Sequence, residues 1–338
     1  MTREASSLSV YPELVLESAN RYRSHLEQRL GDFSPPLRPA IETLIDLLSR
    51  VDHQGIRADQ IRFDALSLAR AEVPSDLDLL INQWCLGWGR DDAPVIVMGT
   101  EEAYPVSPID LGLWNCCCAV IWAMSGSREI IERIDPRAAD PDPPIAGFED
   151  RQEFHVHAND YYVVHKRHWD PERNRWVRPG RHTWKLLAEA IAGRGHWMPL
   201  LEQNRGTLGE SAYQIEVSAY PAKLAIDGRA SSEERRLFLT NALTTMRQTA
   251  KVLLFHGRPN EPRWGGRDVL IGAFLRAAPP SHLDWTRRDV ERQPVLHIRH
   301  NGRLVLLTRA LNGSVSGALL DRLHELIAPE IRFRTQEE

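Results

Sequence analysis

The stretch VIVMGTEEAYPVSPID, residues 95–110, sets two adjacent carboxylates and an aromatic directly behind a short apolar run. Glu101 and Glu102 are the first candidates for chemistry, because a carboxylate can orient a water molecule or stabilise a developing cation. Val95 to Met98 reads as a buried strand. Gly99 then permits a tight turn or a close backbone approach. Ser107 can cap a helix, Pro108 suits its first position, and Asp110 complements the cap. Thr100 to Val106 therefore form a loop at the C-terminal edge of a strand, where open α/β sheets bind ligands. Two other strand ends look similar. YQIEVS (213–218) runs into Ser218-Ala219-Tyr220-Pro221, and RLVLLT (303–308) into Thr308-Arg309-Ala310-Leu311-Asn312-Gly313. If these strands are parallel, the three segments converge on one rim and surround one pocket. The competing reading is that every parallel sheet carries polar loops at that edge.

A second group of residues could hold nucleic acid. From His165 to Lys185 stand Lys166, Arg167, Arg173, Arg175, Arg178, Arg181 and Lys185 against Asp170 and Glu172, with Trp169, Trp176 and Trp184 interleaved. Cations for phosphates and aromatics for exposed bases make a single-strand or flipped-base surface. A solvated loop whose tryptophans bury against a core fits the composition equally well. His155, His157, His165 and His168 raise the question of a metal, but no CxxC or HExxH pattern accompanies them, and none is expected. Gly265-Gly266 and His256-Gly257-Arg258-Pro259 could cradle a phosphate at a following helix. The chain has neither GxxxxGK[ST] nor GxSxG, which argues against a P-loop and a nucleophile elbow.

These residues need a scaffold. The 338 residues are 42% hydrophobic, enough for one large or two modest domains. No apolar run reaches membrane-spanning length. MTREASSLSVYPE lacks the order of a secretory signal, so a soluble, cytoplasmic protein is expected. A formal charge of −4 argues against a basic nucleic-acid binder overall. It leaves room for a local patch, because screening confines fields to about 10 Å. Of the four cysteines, Cys116, Cys117 and Cys118 are consecutive and cannot converge on one metal, and with Cys85 they make no disulfide framework.

Residues 10–90 read as helical, in LVLESANRYRSHLEQRL, in PAIETLIDLLSRV after Ser34-Pro35-Pro36, and in a third segment from Asp59. From Ala93 strands and helices alternate. Strands are expected at 94–99, 213–218, 251–257, 295–300 and 303–308, and helices from near Ser107, Thr183, Ser232, Gly266 and Ser316. Ser231 with Glu234 suggests a capping box, and His300-Asn301-Gly302 a tight hairpin turn. Such alternation implies an α/β fold with a mainly parallel sheet covered on both faces. The expected division is a helical region, 1–92, and an α/β domain, 93–330, whose basic, Trp-containing insertion at about 134–182 begins in a Pro- and Asp-rich loop.

Taken in order, the strand ends resemble the motifs of the uracil-DNA glycosylase superfamily, over roughly residues 93–328. Gly99-Thr100-Glu101 stands where the family has G-x-D-P-Y or G-x-N-P-G, with Glu101 at its water-positioning acid. Ser218-Ala219-Tyr220-Pro221 is similar to N-x-x-P, with Ser at the Asn position. Thr308-Arg309-Ala310-Leu311-Asn312 occupies the place of H-P-S without its histidine, and Phe255-His256-Gly257-Arg258 resembles the family's third strand. The resemblance implies a three-layer, uracil-DNA-glycosylase-like sandwich that hydrolyses a base–sugar bond in DNA without cofactor or metal.

Only one of the adjacent carboxylates can face the pocket, Glu101 by first choice and Glu102 by second. Arg309 or Asn312 would steady the leaving base. Gly99, Thr100, Tyr104, Trp114, Ser218, Tyr220 and Thr308 would line the base site, with Tyr104 one place away from the family's screening aromatic. Lys166, Arg167, Arg175, Arg178, Arg181 and Lys185 would hold the backbone of single-stranded DNA or of a flipped nucleotide. Serine for asparagine enlarges the pocket and removes a two-way hydrogen-bonding group. That points to a bulky modified pyrimidine of the kind some phage genomes carry, and to phage defence. The alternative is a catalytically degenerate module that binds nucleic acid or protein. A third reading is a nucleotide hydrolase needing a divalent ion.

Overall fold

The computed structural model describes residues 12–49, 79–87, 89, 92–99, 168–170, 175–177, 183–197, 208–217, 232–257, 267–276, 284–311 and 314–331. They fall into two compact units. The first contains 12–49, 79–87 and 232–238; the second contains the other described residues.

In the first unit, α1 (Pro12–Arg29) and α2 (Arg38–Ser49) match the expected helices. Their apolar stripes bury Leu14, Tyr22, Leu26, Ile41, Leu44 and Leu48. Residues 81–87 are not helical, contrary to the reading of 10–90 as helical throughout. Here side chains replace the backbone ladder. Tyr22 Oη donates to Leu80 O at 2.7 Å, and Ser18 Oγ to Trp84 O at 2.7 Å. The buried Arg235 donates to Gln83 O at 2.9 Å and to Cys85 O. Those bonds satisfy carbonyls that an irregular buried segment would otherwise leave open.

The second unit is α/β. Its sheet comprises β1 (Val95–Gly99), β4 (Ala212–Glu216), β5 (Val252–His256), β6 (Thr286–Val290), β7 (Gln293–His300) and β8 (Arg303–Thr308). The six strands lie in the order β4-β1-β5-β8-β7-β6. β4, β1, β5 and β8 are mutually parallel, while β7 is antiparallel to β8 and β6. Strands β2 (His168–Asp170) and β3 (Arg175–Val177) form a separate antiparallel pair.

Both faces of the parallel strands are buried. On one face Val95, Val97, Val252, Leu254, Leu304 and Leu306 share a core with α3 (Thr183–Ala192) and α7 (Gly317–Ile327). On the other, Ile96, Met98, Leu253, Phe255, Val305 and Leu307 are equally covered. Near-continuous apolar runs are what two buried faces require. The remaining helices are α4 (Leu208–Ser211), α5 (Glu233–Met246) and α6 (Arg267–Leu275).

Start signals were legible with one correction. α5 is capped by Ser232, whose Oγ accepts from Arg235 N at 3.0 Å. The third residue of α5 is therefore Arg235, so Ser231 with Glu234 is not the capping box. α7 is capped by Ser316, as its serine suggests, with Leu319 N donating to Oγ at 3.2 Å. No described helix is long and apolar enough to cross a membrane.

Candidate functional site

The parallel register brings four strand ends into one row. Gly99 pairs with Glu216 on one side and His256 on the other, and His256 pairs with Thr308. Two residues earlier the row reads Gln214, Val97, Leu254, Leu306. Because side chains alternate along a strand, both rows share the α3 and α7 face. An apolar face thus ends, at the C-terminal edge, in a carboxylate, an imidazole and a hydroxyl.

Strand order makes this edge a place for ligands. In chain order the four parallel strands lie second, first, third, fourth, so the connections leaving β1 and β5 run to opposite sides. That is a topological switch point, and the crevice outside it is the usual ligand position in open α/β sheets. Gly99 and His256 stand at its two lips.

Gly99 is glycine for a reason visible here. A Cβ at this position would overlap the Glu216 carboxylate, with Glu216 Cδ and Oε1 both 2.7 Å away. The carboxylate therefore lies over Gly99, the residue between Glu216 and His256 in the row. It is held there by Gln214, whose Nε2 donates to Glu216 Oε1 at 2.9 Å.

His256 and Thr308 are only 7% and 2% exposed. Among the described residues neither His256 Nε2 nor Thr308 Oγ1 has a hydrogen-bond partner. Buried polar atoms are nearly always partnered, so two orphans on paired residues need a cause. Burial lowers the His256 pKa to about 4, which leaves the imidazole neutral near pH 7. It then offers one donor and one acceptor.

The rim after β8 is braced. Arg309 Nη2 donates to Ser314 Oγ at 3.0 Å. Gln293 Nε2 donates to Ser314 O at 3.3 Å, and Gln293 Oε1 accepts from Ser316 N at 3.3 Å. Arg309 thus supports its own loop, one residue beyond the row.

Of the expected site residues, the structure brings Gly99 and Thr308 into one row and sets Arg309 beside it. Thr100, Glu101, Glu102, Tyr104, Trp114, Ser218, Tyr220 and Asn312 lie outside the described residues, as do Lys166, Arg167, Arg178 and Arg181. So do the segment from Asp59, the helix start at Ser107, Cys116 to Cys118, His155, His157, His165 and the stretch 258–266. Arg175 begins β3, and Trp169 and Trp176 are paired across the β2–β3 hairpin, where an irregular insertion was expected. Lys185 lies in α3. Trp184 packs against the core, which gives that tryptophan a structural role. Among the described residues no group of three metal-ligating side chains occurs.

Glu216 is the site residue that the motifs did not single out; His256 was noted in a possible phosphate cradle and in a strand motif, but not as part of this row. The available signal was a polar residue closing a strand, Glu216 in AYQIE and His256 in VLLFH. Comparisons with protein-family models, with curated proteins and with solved structures find no match to this chain.

Proposed function

We propose that this chain is a DNA glycosylase of uracil-DNA-glycosylase-like fold that hydrolyses the N-glycosidic bond of a modified pyrimidine and leaves an abasic site. The observation that carries this reading is the row Glu216, Gly99, His256, Thr308, which closes an apolar sheet face at a topological switch point. It supplies what a base would need: an acceptor, a neutral imidazole and a hydroxyl, the last two unsatisfied without a ligand.

Bond cleavage develops positive charge on the sugar and negative charge on the base. Glu101, two residues beyond Gly99 in the chain, would orient water or stabilise the sugar, with Glu102 as the second choice. Arg309 and Asn312 would meet the charge on the base. Ser218, one residue past Val217 in the chain, would leave room for a substituent on the ring by being shorter than asparagine. The basic stretch containing Arg175 and Lys185 would hold the DNA backbone.

The test is direct. Oligonucleotides carrying uracil or a bulky modified cytosine are incubated with the wild type and with Glu101→Gln, and abasic sites are counted after alkaline cleavage. The expected result is abasic sites in the modified substrate, reduced at least about 100-fold in the variant. Binding without abasic sites would favour the second reading, a module that keeps the fold and has lost the chemistry. That reading is motivated by the absence of a histidine between Thr308 and Asn312 and by the engagement of Arg309 with Ser314.

A further inference from the structure

The order of groups in the row has a chemical reading of its own. We propose that Glu216, His256 and Thr308 together read the edge of a 4-amino pyrimidine, a cytosine-type base, and reject the 4-oxo, uracil-type edge. This rests on the reading of the rim as a base site.

The row presents, in sequence across the sheet, a carboxylate lying over Gly99, then the His256 ring, then the Thr308 hydroxyl. An ionised carboxylate can only accept hydrogen bonds. It occupies the outer end of the row, because β4 is an edge strand of the sheet. It must therefore meet an outer group of the ligand's edge, and that group must be a donor.

A uracil-type edge carries carbonyl oxygens at both outer positions and its single N–H in the middle. Either orientation sets a carbonyl against the carboxylate. A cytosine-type edge carries an amino group at one outer position, followed by two acceptors. Glutamate accepting from the cytosine amino group is a recognised pairing. The neutral imidazole and the hydroxyl can each donate, one to the ring nitrogen and one to the remaining carbonyl, which would satisfy both orphaned atoms.

Glu216 is fixed for this task by Gln214 below it and by the missing side chain of Gly99 beside it. A mismatched acceptor against such a group leaves two acceptors facing each other in a buried place. Sites built on specific hydrogen bonds reject mismatched ligands strongly for that reason.

The experiment compares two single-stranded oligonucleotides that differ only at one ring position: a central 5-hydroxymethylcytosine and a central 5-hydroxymethyluracil. Fluorescence anisotropy gives each affinity, for the wild type and for Glu216→Gln, whose amide both donates and accepts. The expected result is at least tenfold tighter binding of the cytosine-type oligonucleotide by the wild type, with the preference erased in the variant. Equal affinities, tighter binding of the uracil-type oligonucleotide, or no binding of either by the wild type would overturn the proposal. The wild-type comparison decides even if the variant does not fold. Counting abasic sites in the same oligonucleotides separates the two claims. Preference without cleavage defeats only the glycosylase reading, and equal cleavage with equal binding defeats only the edge-reading row.

Discussion

Strand β8 begins and ends in different ways. At its start, Asn301 and Gly302 form the turn from β7 with φ of 50° and 68°, the conformation that an Asn-Gly hairpin favours. Several polar groups here are engaged, although Arg247 Nε and Arg303 Nε have no partner among the described residues. Asn301 Nδ2 donates to Leu275 O at 3.1 Å, and Arg303 Nη2 to Arg247 O at 2.9 Å. At its end, Thr308 Oγ1 and His256 Nε2 are buried and have no partner among the described residues. The two ends differ in what is left over: single guanidinium nitrogens whose neighbouring N–H groups are bonded at the start, a whole hydroxyl and an imidazole nitrogen at the end. An unbonded buried hydroxyl is the larger departure from the general rule of satisfaction.

The comparison can be broken at the rim first. Gly99→Ala forces a methyl group into the space of the Glu216 carboxylate. Displacing a site group by about 1 Å costs on the order of 100-fold in rate. Abasic-site formation is expected to fall by that much, and a fully active Gly99→Ala protein would remove Glu216 from the site.

The next effect is a pH dependence of stability. The folded chain holds His256 neutral down to about pH 4. An unfolded histidine takes up its proton near pH 6.5. The unfolded state therefore binds more protons between these values, and stability falls as the pH drops through that window. The contribution is on the order of 3 kcal/mol, fully present above pH 6.5 and lost by pH 4. Urea unfolding at pH 7.5 and pH 5 is expected to show about 2 kcal/mol of it, and His256→Gln to lose that part of the slope.

Smaller effects distinguish the two ends by sign. Asn301→Ala removes a hydrogen bond and a residue suited to positive φ, and is expected to cost about 1 kcal/mol of stability with activity unchanged. Thr308→Val removes a buried hydroxyl that has no partner. It is expected to leave stability unchanged or raise it by up to about 1 kcal/mol, while weakening binding of the base. A destabilised Thr308→Val protein with normal binding would reverse the assignment of the rim.

Much of this fold was legible because its signals are local. Val95 to Met98, Val252 to Phe255 and Leu304 to Leu307 are short apolar runs whose length and flanking turn residues favour a strand buried on both faces. Asn301-Gly302 and Ser316 announced their turn and cap. β6 was missed because TRRDV is charged and exposed, as a protected edge strand should be, and shows no alternation to detect. The segment 81–87 was misread because its order comes from side chains distant in sequence, such as Ser18 and Arg235.

The site divides in the same way. Gly99 and Thr308 could be found as strand ends. Glu216 and His256 could not be joined to them, because only register makes them neighbours. Sequence spacing carries no register between strands more than 100 residues apart, and the pairing of β1 with β4 is of that kind.

The most direct test of the account watches His256 itself. With histidine side chains labelled with ¹⁵N, its ring nitrogens are followed while a single-stranded oligonucleotide carrying 5-hydroxymethylcytosine is added at pH 7. The account predicts a neutral imidazole in the free protein and a shift of Nε2 on binding, as the orphaned atom gains a partner. Binding that leaves the His256 resonances in place would contradict it and put the site elsewhere.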